Sequence, residues 1–196
     1  STRARRRAGA CQGMGRGMGG RDGAVNAALT LGREDAGVPR YVRPRVEGAA
    51  VFFTVAVAER GSRVLVERVG ALREAVRVTR AERPFEVVAW VVLPDHLHAV
   101  WRLPEGDADY ATRWRLIKAR FSAGLGVAEG RSASKVAKGE KGIWQRRYWE
   151  RHLRDDGEVA LAVRSCWINP IKHRLVERLE DWPWSSWHRD GQPPVA

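Results

Sequence analysis

The sequence predicts an α+β domain of the ferredoxin-like type, in which an antiparallel sheet carries two helices on one face. Two strand-like segments flank a two-residue break at Pro94-Asp95, which predicts a β-hairpin. Segments with apolar residues at helical spacing lie on both sides of that hairpin. The resulting order, β-α-β-β-α-β with a further helix at its end, begins with the split βαβ arrangement.

Four strands and three helices are predicted. In order they are a strand over residues 49–58, a helix over 64–80, hairpin strands over 85–93 and 96–103, a helix over 109–124, a strand over 143–153 and a helix over 157–168. Residues 124–142 are small and charged, which predicts a flexible loop. Asp155 and Asp156 can cap the last helix, and Pro170 is expected to limit it.

Two histidines separated by one apolar residue follow the turn. Because side chains alternate between faces along a strand, His96 and His98 share one face and Leu97 points to the other. Imidazole is the commonest neutral side-chain ligand of metals, and two of them leave coordination positions free for substrate oxygens. Two surface histidines would give the same pattern, so the pair alone leaves both interpretations open.

The chain is strongly basic, with a formal net charge of +12 and a pI of about 10.9. Such a balance favours a polyanionic partner, nucleic acid first and an acidic membrane surface second. No apolar run reaches the ~18 residues that span a bilayer, and no secretory signal is recognised. Cys11 and Cys166 form no spacing motif, which favours the reducing cytoplasm.

Composition divides the chain into three parts. Residues 1–39 are rich in Gly and Arg and poor in aromatic residues, which predicts a disordered basic extension. The patterned elements fall within residues 40–190, the predicted folded domain, and residues 191–196 form a tail. The sequence does not determine the oligomeric state, and a monomer is slightly favoured.

Several spaced segments resemble the REP-associated tyrosine transposases. They are FFTVAV, RPFEVVAWVVLPDHLHAVWRLPEGDADYATRWRLIK, IWQRRYWERHLRDD, INPIKHRLV and DWPWSSWHRD, and together they cover about residues 41–189. This family is related to the single-tyrosine insertion-sequence transposases, within the superfamily of single-strand DNA endonucleases named for a His-hydrophobic-His motif. The ordered set of segments is more specific than the histidine pair and favours its interpretation as a metal site.

The resemblance implies a protein that binds hairpins of repetitive extragenic palindromes and cuts single-stranded DNA beside them. It implies a divalent ion, Mg²⁺ or Mn²⁺, held by His96, His98 and Asn169. Since two helices cover one face of the sheet, the third helix is the element available to lie opposite the histidines, and the resemblance implies that a tyrosine on it attacks the scissile phosphate and becomes a 5′-phosphotyrosine. In the family that tyrosine lies four residues before the metal-binding Asn or Gln.

The sequence departs from the family at this nucleophile, because Ser165 stands four residues before Asn169. A phenol ionises near pH 10, whereas an aliphatic hydroxyl is far less acidic and its side chain is shorter. Ser165 acting with metal help and Tyr148 approaching from the fourth strand are alternatives. Tyr148 fits equally well as a packing aromatic.

Basic residues near the expected site are candidates for phosphate contacts, with a solvated surface charge as the alternative for each. They are Arg43, Arg113, Arg115, Lys118, Arg120, Arg146, Arg147, Arg151, Lys172, His173 and Arg174.

Three functional hypotheses remain open from the sequence. The first is an active, metal-dependent transposase that nicks and joins single-stranded or hairpin DNA. The second is a catalytically inactive hairpin-DNA-binding protein on the same scaffold. The third is an RNA-binding module, which predicts solvent-facing aromatic residues on the sheet.

Overall fold

The structure is a computed structural model that describes residues 46–128 and 131–190, all of them within one compact unit. The predicted extension over residues 1–39, the tail over 191–196 and the candidate DNA contact Arg43 lie outside the described residues. The proposed domain boundaries therefore stay predictions.

A four-stranded antiparallel sheet forms the centre of the fold. Its strands are β1 (Ala50–Ala56), β2 (Glu86–Val92), β3 (His96–Arg102) and β4 (Trp149–Leu153), in the order β2-β3-β1-β4. The first and last strands of the split βαβ unit are neighbours, as the ferredoxin-like arrangement requires. The predicted fold class is confirmed.

Helices cover both faces of this sheet. They are α1 (Val64–Glu67), α2 (Val69–Glu82), α3 (Tyr110–Ala123), α4 (Ala133–Ala137), α5 (Asp156–Lys172) and α6 (Trp187–Asp190), with a 3₁₀ turn at Leu179–Asp181. α2 and α3 pack against each other over one face, and α5 packs over the other, mainly on β2 and β3. In the described residues no helix has the length and apolar character needed to cross a bilayer.

Strand alternation separates the core from the opposite face. Val51, Phe53 and Val55 of β1 are fully buried and point toward α2 and α3. The Phe53 ring lies 4.9 Å from that of Trp101 and 5.5 Å from that of Trp114, centroid to centroid. Buried aromatic packing of this kind supplies much of the apolar burial that stabilises a domain.

Three element boundaries differ from prediction. The first helix is interrupted at Arg68 (φ −115°, ψ 28°), so that α1 and α2 each direct their own apolar residues into the core. Residues 143–148 pair irregularly with the end of β1, through a bridge between Val57 and Trp144, and β4 begins only at Trp149. The predicted loop contains the short helix α4.

Pro170 does not end the last helix. A proline lacks the N–H that would bond one turn back, but near a helix end this removes only one bond. The helix continues to Lys172 and closes with N–H groups of Arg174 and Leu175 donating to the carbonyls of Ile171 and Pro170, at 2.8 and 2.9 Å. These bonds form a Schellman closure, with Arg174 left-handed at φ 55°.

Arg113 is the clearest correction to the predicted DNA contacts. Its side chain is buried, donates to both carboxylate oxygens of Asp107 at 3.1 and 2.6 Å, and also donates to the carbonyls of Arg83, Pro84 and Asp109. Its hydrogen bonds with Asp107 hold the pKa of that carboxyl below its usual value. Arg113 therefore joins α3 to the preceding loops and is not available to phosphates.

Replacing Arg113 with Ala is expected to lower the free energy of unfolding by about 3–5 kcal/mol, because Asp107 and the carbonyls lose a buried partner. Arg115→Ala, on the exposed side of the same helix, is expected to change it by less than about 0.5 kcal/mol. Urea denaturation of both variants measures the difference. Equal, small effects would show that Arg113 is not structural.

Candidate metal centre and nucleic-acid interface

The register of three strands places the two histidines and their neighbours in one surface. In antiparallel pairing, His98 of β3 lies opposite Thr54 of β1, and Thr54 lies opposite Trp149 of β4. Leu97 is fully buried on the other face. The rings of His96 and His98 are 5.1 Å apart between centroids, so the predicted shared face is confirmed.

One nitrogen of each imidazole is already engaged. The Thr54 hydroxyl and His98 Nδ1 are hydrogen-bonded at 2.9 Å, and His96 Nδ1 lies 2.7 Å from Asp95 Oδ1. A carboxylate only accepts, so His96 donates through Nδ1. Partners of this kind fix the orientation of metal-binding histidines and leave Nε2 for the ligand.

Burial keeps His98 neutral. It lowers the pKa of His98 to about 3, and the neighbouring charges of His96, His173 and Lys172 act in the same direction. Metal binding requires the unprotonated imidazole. His98 therefore offers a nitrogen lone pair over the whole physiological pH range.

Asp95 is held as a carboxylate beside His96. Burial acts to raise the pKa of Asp95, but hydrogen bonds from His96 and from the Gly61 amide together keep it below its ordinary value. Asp95 and Thr54 were not recognised from the sequence. Asp95 could have been found because it directly precedes His96. Thr54 could have been found from the alternation of faces along the strand segment FFTVAV.

Helix α5 brings Asn169 to the histidines. Asp155 caps the helix by accepting from the Glu158 amide at 2.8 Å. Asn169 is buried, donates through Nδ2 to the Ser165 carbonyl at 2.5 Å and is also hydrogen-bonded to His98. The amide nitrogen faces its own helix, which leaves the amide oxygen for a partner at the histidines.

These residues fit a divalent ion with few protein ligands. The His96 and His98 rings are neighbours and Asn169 is hydrogen-bonded to His98, while no group of three or more His, Cys, Asp and Glu side chains within residues 46–128 and 131–190 is placed to hold a metal. A Mg²⁺ site usually has few protein ligands, commonly one or two carboxylates, and keeps several waters and substrate phosphate oxygens in its shell. The arrangement therefore suits an ion shared with a phosphate-bearing substrate.

Ser165 is half buried and lies one helical turn before Asn169 on α5. Two tyrosines lie on the opposite face of the sheet from the histidines. Tyr148 packs against Phe53 and Trp114 on the α3 side, with the Lys118 ammonium 5.2 Å from its ring centroid. Tyr110 is buried beside Phe53 on the same side. The weak alternative that Tyr148 attacks the phosphate is thus corrected, because the sheet separates it from His96 and His98.

The candidate phosphate contacts divide between the two sides of the sheet. Arg115, Lys118 and Arg120 belong to α3, on the side away from the histidines. Lys118 donates to the Gln145 carbonyl at 2.9 Å, and Arg120 is ion-paired with Glu82, which gives both a structural role. Arg115 is exposed.

The remaining basic residues lie nearer the site. The C-terminal end of α5 is exposed and basic, with Lys172, His173 and Arg174 in succession. The centroid of the His173 ring lies 4.9 Å from that of His96. Arg147 and Arg151 are exposed, and Arg151 shares the histidine face with Trp149. Arg146, also exposed, is paired with Glu140 at 3.1 Å.

Comparison with known proteins gives a consistent result. A REP-associated tyrosine transposase of Escherichia coli K12 is 41% identical over 150 residues, which are 76% of this chain and 83% of that protein. A Haemophilus influenzae protein with the same family name is 40% identical over 152 residues, 76% of this chain and 86% of that protein.

A solved REP-associated tyrosine transposase bound to a REP hairpin superposes with a TM-score of 0.67 at 41% identity, over 77% of this chain and 84% of that chain. No protein-family model matches the sequence.

Proposed function

This chain belongs to the REP-associated tyrosine transposases, and from that premise we propose that it binds single-stranded DNA next to hairpins of the REP type, with a divalent ion shared between His96, His98, Asn169 and a DNA phosphate. We further propose that strand cleavage is very slow or absent, because the nucleophile is missing. The observation that supports this proposal is that His96, His98 and Asn169 lie together, with Asn169 one helical turn after Ser165.

DNA recognition is proposed for the side of the sheet that bears the histidines. Arg151 lies on that face, and Lys172 and Arg174 lie at the nearby end of α5. Phosphate contacts from such side chains position the strand and give an affinity that depends on salt. The solved relative bound to a REP hairpin supports a hairpin as the DNA element.

The ion is proposed as Mg²⁺ or Mn²⁺, and when bound it supplies positive charge to the phosphate. The residues of this chain orient that phosphate: His98 is kept neutral by burial, His96 is held by Asp95, and Asn169 is held by the backbone of its own helix. Burial keeps His98 unprotonated, so binding of the ion there requires no deprotonation of His98 near neutral pH.

Ser165 is a poor substitute for the family's tyrosine. Its hydroxyl is far less acidic than a phenol, and its shorter side chain places the oxygen farther from a phosphate held at the histidines. Misplacement of about 1 Å can already cost 100-fold in rate. A second candidate function, active nicking with Ser165 as the nucleophile, rests on the half-buried position of Ser165 beside Asn169.

DNA binding is expected to prefer a hairpin with a single-stranded extension over a duplex of equal length. For about three or four phosphate contacts, raising salt from 50 to 200 mM should weaken binding by about 20- to 50-fold. Arg151→Glu should weaken it strongly, whereas Arg115→Glu, the same charge change behind the sheet, should have little effect. Fluorescence anisotropy with labelled oligonucleotides measures these affinities.

Salt-independent binding, or equal losses in the two charge-reversal variants, would refute the proposed interface. Equal losses would mean that net charge determines the affinity, and not contacts made on the histidine face.

Cleavage is expected to return when the tyrosine is restored. Ser165→Tyr should form a covalent adduct with a labelled hairpin in the presence of Mn²⁺, while the wild type should form little or none. Arg164→Tyr, which places a tyrosine on an exposed, adjacent position of the same helix, is the matched control and should stay inactive. Denaturing gel electrophoresis detects the adduct.

Robust nicking by the wild type that disappears in Ser165→Ala would instead make serine the nucleophile. Nicking that survives Ser165→Ala would show that the nucleophile is a residue other than Ser165. Inactivity of Ser165→Tyr with the DNA bound would mean that more than this one residue separates the chain from an active enzyme.

A further inference from the structure

The histidine face continues past the metal site onto an uncovered part of the sheet. α5 packs mainly on β2 and β3, so that β1 and the edge strand β4 are less covered on this side. Trp149 of β4 is 47% exposed there, although Trp is usually well buried. A single exposed aromatic is ordinary on its own, and its surroundings give it meaning.

Trp149 stands in line with the metal-binding residues. His98, Thr54 and Trp149 occupy directly opposite positions on three neighbouring strands. With strands about 4.8 Å apart, Trp149 lies roughly 10 Å from His98 along the sheet. Nucleotides next to a phosphate held at His98 can cover that span.

Phe52 connects the two ends of this row. Its ring stacks on His98 at 5.5 Å with an interplanar angle of 23°, and meets Trp149 edge-on at 5.7 Å and 74°. This contact restrains the Trp149 indole, and the side chain nevertheless stays 47% exposed. Base stacking requires an aromatic ring that is accessible from solvent.

The charge next to Trp149 suits a nucleic-acid strand. Arg151 follows two residues later on the same face, opposite Phe52, and is exposed. The hydrogen bond from Arg154 lowers the pKa of Glu158 at the start of α5, and the charge of Arg151 acts in the same direction. Lys172 places a second positive charge near His98. A strand lying along this row would therefore have cations at both ends and an aromatic surface between them.

We propose that Trp149, supported by Phe52, is the stacking platform for one unpaired base of the single-stranded DNA whose phosphate is held at the histidines. This inference rests on the proposed function and names a residue that positions the strand. Trp149 contributes affinity at a single nucleotide of the extension and makes no contact with the hairpin stem. Any base can stack on Trp149, because every base has a π face.

The test combines protein variants with abasic DNA. Hairpins with a single-stranded extension are prepared with an abasic site at each extension position in turn, and their affinities for the full chain are measured. The wild type should lose about 5- to 100-fold at one position. Trp149→Ala should bind the intact DNA with the same loss and should be insensitive to the abasic site there.

Two control variants make the result specific. Trp149→Phe retains an aromatic face and should keep most of the affinity and of the sensitivity to that position. Leu161→Ala removes a side chain that is also exposed, at 68%, but lies on α5, and it should leave the abasic profile unchanged. Thermal unfolding of each variant confirms that the fold is retained.

The outcomes separate this inference from the proposed function. If Trp149→Ala keeps the wild-type sensitivity at every position, the stacking role is overturned while hairpin binding stands. If the wild type binds no hairpin, the proposed function fails and the inference fails with it. If an extension of ribonucleotides binds more tightly and carries the Trp149-dependent position, the sheet surface serves RNA, and the assignment to DNA is overturned.

Discussion

The antiparallel register between β1 and β3 is the constraint on which the site depends. It places His98 opposite Thr54, whose hydroxyl bonds to the imidazole. A slip of one residue would turn both histidines into the space filled by α2 and α3 and bring Leu97 to the open face. Because Leu97 is fully buried, that slip would also expose a core side chain. Core packing therefore sets the direction of both imidazoles.

The same register determines which residues share the site with the histidines. It brings Trp149 and Arg151 of β4 to the histidine face and directs Glu150 and His152 to the other. Tyr148 precedes Trp149 and packs toward α3. Two adjacent aromatic residues thus have different roles, one in the core and one on the proposed DNA surface. Replacing Ser165 by another small residue would leave this framework in place, since α5 is held on β2 and β3 by buried residues such as Ala162 and Cys166.

Much of the fold could be predicted because its signals are local. The hairpin turn at Pro94-Asp95, the alternation around His96 and the cap at Asp155 each involve residues close in sequence. The shared face of the histidines follows from alternation alone. The position of the last helix opposite them follows from the sheet face that the first two helices leave uncovered, and the role of Asn169 as a ligand stays a prediction.

The features that could not be predicted depend on contacts between residues far apart in the sequence. Arg113 resembles any basic residue of an amphipathic helix until Asp107 and the carbonyls of Arg83 and Pro84 are seen around it. The interruption at Arg68 lies within a segment of continuous helical spacing, and we have no physical account of it beyond the separate burial of α1 and α2. The exposure of Trp149 depends on where α5 crosses the sheet, which no local pattern determines.

We propose that this chain holds a divalent ion at His96, His98 and Asn169, with a DNA phosphate completing the coordination. The most direct measurement is titration with Mn²⁺, followed by electron paramagnetic resonance, with and without a hairpin carrying a single-stranded extension. Mn²⁺ is expected to bind weakly to the protein alone and at least about tenfold more tightly with the DNA, and both are expected to be lost in His98→Ala but not in His188→Ala. Mn²⁺ binding that is unchanged by the DNA, or that survives His98→Ala, would contradict it.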